Sequence, residues 1–131
     1  MDYALRILRA LKDGQQTTTG ALCERAATPQ QFAYKILKKL SRAGMVSVTR
    51  GAEGGCRLTA DLHQTTLFDL MKAMESDVLL NACMEPGYTC TWRQACGQTC
   101  DIHTGLGQVQ EEVNRVLRAH TLASLFGAAS T

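Results

Sequence analysis

The sequence predicts a mainly α-helical chain with one small β-hairpin, and three observations carry that expectation. Two short amphipathic stretches are followed by a longer one, residues 28–44, with an apolar stripe on one side and a basic, polar face on the other. A glycine-rich turn, RGAEGG, comes next, between two runs of strand-forming residues. A long amphipathic stretch from residue 104 then dominates the C-terminal part. Helix, helix, longer helix and hairpin in that order describe a winged helix-turn-helix, here followed by a long C-terminal helix.

MDYALRILRALKDG sets Tyr3, Ala4, Ile7, Leu8 and Leu11 at helical spacing, with Gly14 placed to end the helix. TTTGALCERAAT reads as a short second helix with Ala21, Leu22 and Ala26 inward, and Cys23 as a small buried hydrophobe. In TPQQFAYKILKKLSRAG, Thr28 suits the N-cap, Pro29 the first helical position, and Gln31 the far corner of a capping box. Phe32, Ile36, Leu37 and Leu40 form the apolar stripe, and Gly44 is the expected C-cap. The opposite face carries Gln30, Gln31, Tyr34, Lys35, Lys38 and Arg42. Residues 35–57 hold six lysines and arginines against one acid, Glu53, in a chain whose net charge is only +2. Basic charge gathered on one helix suits a phosphate backbone.

Met45, Val46 and Val48 predict the first strand of the hairpin and CRLT the second, with Arg50 at the tip and Cys56 packed inside. Thr65 or Thr66 should cap the next helix, which buries Leu67, Leu70, Met71 and Met74. Leu106, Val109, Val113, Val116 and Leu117 recur at helical spacing, and that apolar face is expected to meet its copy in a second subunit. TLASLF should form a short final turn, and GAAST a frayed tail. The chain divides into residues 1–64 for DNA, 65–80 as a connecting helix, 81–103 as a cysteine-rich loop, and 104–131 for dimerisation and the C-terminal segment.

The cysteine-rich loop, NACMEPGYTCTWRQACGQTCDIH, is the stretch most suited to chemistry. It holds Cys83, Cys90, Cys96, Cys100 and His103, separated by six, five, three and two residues, with Pro86, Gly87 and Gly97 interrupting any long helix. Structural zinc sites use two close pairs of ligands, whereas only Cys96, Cys100 and His103 lie at short range here. Iron–sulfur clusters accept wider, uneven spacing and a histidine among the thiolates. Zinc, redox disulfides and inert thiols stay open beside the cluster. At 131 residues, with 45% hydrophobic and 20% charged residues, the composition is that of a soluble globular protein. No apolar run reaches the ~18 residues of a membrane span and no signal-peptide pattern opens the chain, so a cytoplasmic protein with reduced thiols is expected.

DYALR, FAYKILKKLSRAGMV, RGAEGGCRL, TLFDLMKAME, the cysteine loop and TLASL, in that order, resemble the Rrf-two family of bacterial winged-helix regulators. That family includes iron–sulfur-biogenesis and nitric-oxide-sensing repressors. The resemblance implies a homodimer on an operator in double-stranded DNA and, in many members, a bound iron–sulfur cluster. It places Cys100 and His103 on the family's final C-x₂-H and Cys83 on its first ligand, favours Cys90 as the second, and leaves Cys96 as a fourth ligand or a replacement. Asp2 stands just before YAL, where some members supply an acidic ligand from the other subunit, so His103 and Asp2 compete for one role. Two-iron and four-iron clusters both fit. For DNA it implies Gln31 and Tyr34 as base-facing, with Gln30 beside them, Arg50 in the wing, and Tyr3, Lys35, Lys38 and Lys39 on phosphates.

The expected function is therefore a regulator, a repressor in type, that senses cluster status, redox state or nitric oxide. The alternative is a cluster-free regulator switched by the thiols of Cys90, Cys96 and Cys100. An electron carrier or enzyme is not expected, because the chain has no nucleotide-binding glycine motif and no acid–base or nucleophile–histidine arrangement, and His63 and His120 read as surface residues.

Overall fold

A computed structural model describes residues 1–50, 54–76, 79–97 and 100–127, with the side chains of Ala82 and Cys96 outside the description. The expected frayed tail, apart from Gly127, and the turn around Glu53 therefore lie outside the described residues. The elements run α1 (Asp2–Ala10), α2 (Thr19–Ala26), α3 (Gln30–Arg42), β1 (Val46–Thr49), β2 (Gly55–Leu58), α4 (Leu67–Ala73), a 3-10 turn (Ala82–Met84), α5 (Thr91–Cys96), α6 (Asp101–Ala119) and α7 (Leu122–Leu125). The architecture is the expected one, mainly helical with a two-stranded antiparallel hairpin and a long C-terminal helix. No helix among the described residues is long and apolar enough to cross a membrane.

The core of the first half is built as the periodicity requires. Ala4, Ile7, Leu8 and Leu11 from α1 and its cap meet Leu22 and Ala26 from α2 and Ala33, Ile36, Leu37 and Leu40 from α3. Three local details differ from the sequence reading. Helix α1 stops at Ala10, ahead of Gly14, which sits in the following turn at φ +76°. Ala21 is exposed. The capping box of Thr28 with Gln31 does not form: Pro29 is the N-cap and Thr28 is buried, its hydroxyl donating to the Ala26 carbonyl at 3.1 Å. The cause lies upstream. Ala27 takes a left-handed conformation at φ 48°, and the Thr28 N–H returns to the Cys23 carbonyl, which turns Thr28 inward to close α2. Phe32, expected inside, is 41% exposed and stacks on Tyr3 with centroids 5.7 Å apart.

Helix α3 ends at Arg42 with Ala43 as its cap, and Gly44, the expected cap, follows as the glycine that closes it. The Met45 N–H reaches the Leu40 carbonyl and the Gly44 N–H the Ser41 carbonyl, with Gly44 at φ +77°, the two bonds of a Schellman motif. The chain then enters β1, which pairs with β2 in the register Val46↔Leu58, Val48↔Cys56. Cys56 also exchanges two backbone hydrogen bonds with Thr17, both at 2.8 Å, so the wing is tied to the segment before α2. That approach explains one glycine of RGAEGG: a Cβ on Gly55 would stand 2.5 Å from the Thr17 carbonyl oxygen. Gly55→Ala is therefore expected to cost about 1–3 kcal/mol, as over-packing does against backbone that cannot move aside. Thermal melting checks it, and a variant melting with the parent would contradict this account.

Thr66 caps α4 and completes a capping box with Asp69. Leu70 is buried as expected, but the second buried residue is Phe68, whose ring carries the Arg118 guanidinium of α6 at 4.1 Å, while Leu67, Met71 and Met74 are half-buried. Helix α7 is more than a final turn. Its Leu122 and Ala123 are buried in the winged core, and backbone bonds link Leu67 to His120, Leu122 to Thr65 and Ala123 to Leu62. Helix α6 leaves this body with an apolar face in solvent: Ile102, Val109 and Val116 are all exposed.

Candidate functional site

Two surfaces gather the residues singled out by the sequence. The first is a groove of about 920 Å³ between the start of α2, helix α3 and the wing. Tyr34, Lys38 and Arg42 line one wall and Val48, Thr49 and Arg50 the other. The row is a consequence of helical spacing, since Tyr34 and Lys38 lie one turn apart on the face opposite the buried Ile36 and Leu40. Gln30 begins the same row, and its Nε2 donates to the Tyr34 hydroxyl at 2.9 Å. Gln31 and Lys35 are exposed on the neighbouring row.

Two expected phosphate contacts sit elsewhere. Lys39 lies apart from the groove lining, with Nζ 3.4 Å from the Met74 carbonyl and 3.7 Å from the Glu75 carboxylate. Tyr3 is half-buried against Phe32, with the Arg6 guanidinium 5.6 Å from its ring centroid. Arg6 also pairs with Asp2 at 3.0 Å, across one helical turn.

The second surface is a cavity of about 580 Å³ at the start of α6. Cys83, Cys90, Cys100 and His103 all line it. Each is placed by a local device. Cys83 lies in the 3-10 turn, and its sulfur accepts from the Asn81 amide at 3.5 Å. Cys90 is the N-cap of α5, and Cys100 the N-cap of α6, where its sulfur accepts the His103 N–H at 3.4 Å. The loop is held to α6 at its beginning too, because the Leu80 N–H donates to the buried Gln110 side chain at 2.7 Å.

The donors share one cavity without converging. Among the described residues no three of His, Cys, Asp or Glu form a group able to hold a metal ion as they stand. The Cys96 side chain lies outside the described residues, and Asp2 is not part of the lining. The remaining thiols belong to the winged half, as the sequence suggested. Burial pushes the Cys56 thiol up, with neighbouring Cys23 adding to the rise and Arg25 opposing it, and Cys56 donates to the Thr17 carbonyl at 3.5 Å. Burial also raises the Cys23 thiol, which is half-buried.

Sequence reasoning passed over the walls of this cavity. Tyr88, Trp92 and Ile102 line it and are exposed, and the signal available was the interleaving of apolar and aromatic residues with the cysteines.

Residues 1–128 match the Rrf2 family, described as an iron-dependent transcriptional regulator. The chain is 32% identical over 130 residues to Protein aau3 of Rhizobium meliloti (strain 1021), covering 97% of this chain and 82% of that one. Among solved structures it is similar to CymR, the global cysteine regulator of B. subtilis, with a TM-score of 0.62 and 19% identity, covering 97% and 91% of the two chains. IscR of T. potens gives a TM-score of 0.58 at 17% identity, covering 98% and 80%. At these identities the two structures speak for the fold alone.

Proposed function

This chain belongs to the Rrf2 family of transcriptional regulators, and from that premise we propose that it is a cytoplasmic, homodimeric DNA-binding regulator whose grip on its operator is set by an iron–sulfur cluster. The observation that carries the cluster is the shared cavity: three cysteine sulfurs and an imidazole, drawn from 21 residues of chain, line one space. That donor chemistry fits iron and sulfide. Cys83, Cys90 and Cys100 would supply thiolates, and the fourth ligand would come from Cys96, from His103, or from Asp2 of a second subunit. A bound cluster, of two or four irons, would supply a centre that responds to iron supply, oxidants or nitric oxide.

The chain's own residues provide the link to DNA. Cys100 opens α6 and Cys83 follows the segment that Gln110 pins to the same helix, so the arrangement of the sulfurs and the position of α6 are mechanically joined. The exposed Ile102, Val109 and Val116 give α6 the apolar face for a dimer. Two recognition helices then read half-sites about one DNA turn apart, at a spacing that α6 fixes. A coupling of roughly 1–3 kcal/mol between ligation and spacing suffices to switch occupancy.

Protein purified under nitrogen tests this reading through its iron and sulfide content, its visible absorption, and titration of operator DNA before and after the iron is removed. Trp92, the single tryptophan, stands on the cavity wall and gives an independent fluorescence signal for loading. Iron-free protein with a reversible disulfide among the loop cysteines would replace the cluster by the thiol switch, and equal DNA affinity with and without iron would end the sensing claim. The groove makes its own prediction. Lys38→Ala and Arg50→Ala should each weaken binding to all duplexes and lower the slope of log affinity against log salt by about 1. Fluorescence anisotropy on a random-sequence duplex measures both, and unchanged slopes would move the DNA elsewhere on the surface.

A further inference from the structure

We infer that Gln30 and Tyr34 form one coupled reading unit that selects an adenine in the major groove. The inference rests on the DNA-binding reading above and adds which residues specify and what they recognise. Gln30 is the first residue of α3, at the end of a recognition helix that meets base edges, and Tyr34 follows one turn later in the groove wall. The Gln30 Nε2 donates to the Tyr34 hydroxyl at 2.9 Å.

A glutamine side chain has two N–H donors and a carbonyl acceptor. One donor is used on Tyr34, which tethers the amide beside the hydroxyl. The other donor and the carbonyl Oε1 are left as an adjacent donor–acceptor pair. Adenine presents the complement, N7 as acceptor and N6–H as donor, whereas guanine presents two acceptors there. A tethered amide discriminates better than a free one, because a free side chain moves to suit either base. Gln31 is set about 100° further round the helix and lies outside this row. Tyr34 is thus a positioning residue, and its hydroxyl acts through Gln30.

The test is selection from a pool of duplexes randomised at every position, with the full chain and with Gln30→Ala, Tyr34→Phe and the double variant. Both side chains are on the surface, and unchanged melting temperatures verify that the variants fold. The parent is expected to enrich a motif with one adenine in each half-site, preferred about ten- to hundredfold over the other bases. Gln30→Ala should flatten that position alone. Tyr34→Phe, which keeps the ring and loses only the hydroxyl, should reduce the preference several-fold, and adding Gln30→Ala to it should then cost less than in the parent. Variants that recover the parental motif, or effects of the two substitutions that multiply independently, would overturn the inference while leaving DNA binding intact. A parent that enriches no motif would overturn the DNA-binding reading itself, and this inference with it.

Discussion

If the loop holds the proposed cluster, Cys100→Ser is expected to abolish iron loading while leaving the fold at least as stable as before. Serine is among the best helix N-caps, so its hydroxyl can take the His103 N–H now accepted by the Cys100 sulfur. A hydroxyl is a poor substitute for a thiolate on iron. Loss of an outer-shell partner alone typically costs ten- to hundredfold in metal affinity, so loss of a direct ligand should exceed about a hundredfold. Iron and sulfide per subunit, measured under nitrogen, should fall to background. Cys83→Ser and Cys90→Ser should do the same. Cys23→Ser is the control, because Cys23 packs against the winged core and does not line the cavity. Full iron content in Cys100→Ser would remove Cys100 from the ligand set. The same assay on Cys96→Ser, His103→Ala and Asp2→Ala separates the candidates for the fourth ligand, since only the true one should lower iron content.

What the sequence made legible was whatever depends on spacing along a single element. The stripe of Ile36, Leu37 and Leu40, the glycine stop at Gly44, the hairpin and the gathering of Cys83, Cys90, Cys100 and His103 all follow from periods and short separations. What escaped depends on a second element. Thr28 looks like a cap until α2 ends two residues before it and draws it into the core. Lys39 shares a helix with Lys38 and Lys35, and only Glu75 and the end of α4 set it apart. Phe68 is buried partly because Arg118, fifty residues on, lies across its ring. Gly55 is read from sequence only as part of a glycine-rich turn, whereas its lack of a Cβ admits the Thr17 carbonyl. Trp92 joins the cavity through the placement of α5, which no periodicity announces.

TLASL depends most of all on a second element, and it carries the largest stability effect expected. A helix of four residues has no stability of its own, since one turn does not repay its nucleation. Leu122 is fully buried in the same core as Leu70, and its N–H donates to the Thr65 carbonyl at 2.9 Å. Thr121 adds a cap by accepting the Ser124 N–H. Leu122→Ala should therefore cost about 2–5 kcal/mol, the range for emptying a buried leucine site. Leu125→Ala, on the same helix but 46% exposed, should stay within about 0.5 kcal/mol. Equilibrium denaturation of both variants gives the comparison, and equal costs would show that α7 is not docked as described. The consequence reaches beyond stability. Through Leu122, the far end of α6 is fastened to the same core that carries α3, while its near end begins at Cys100. On the proposed cluster reading, a variant that loosens the fastening but still loads iron should bind DNA with affinity less dependent on the cluster, because the helix joining the two sites would no longer be held at both ends.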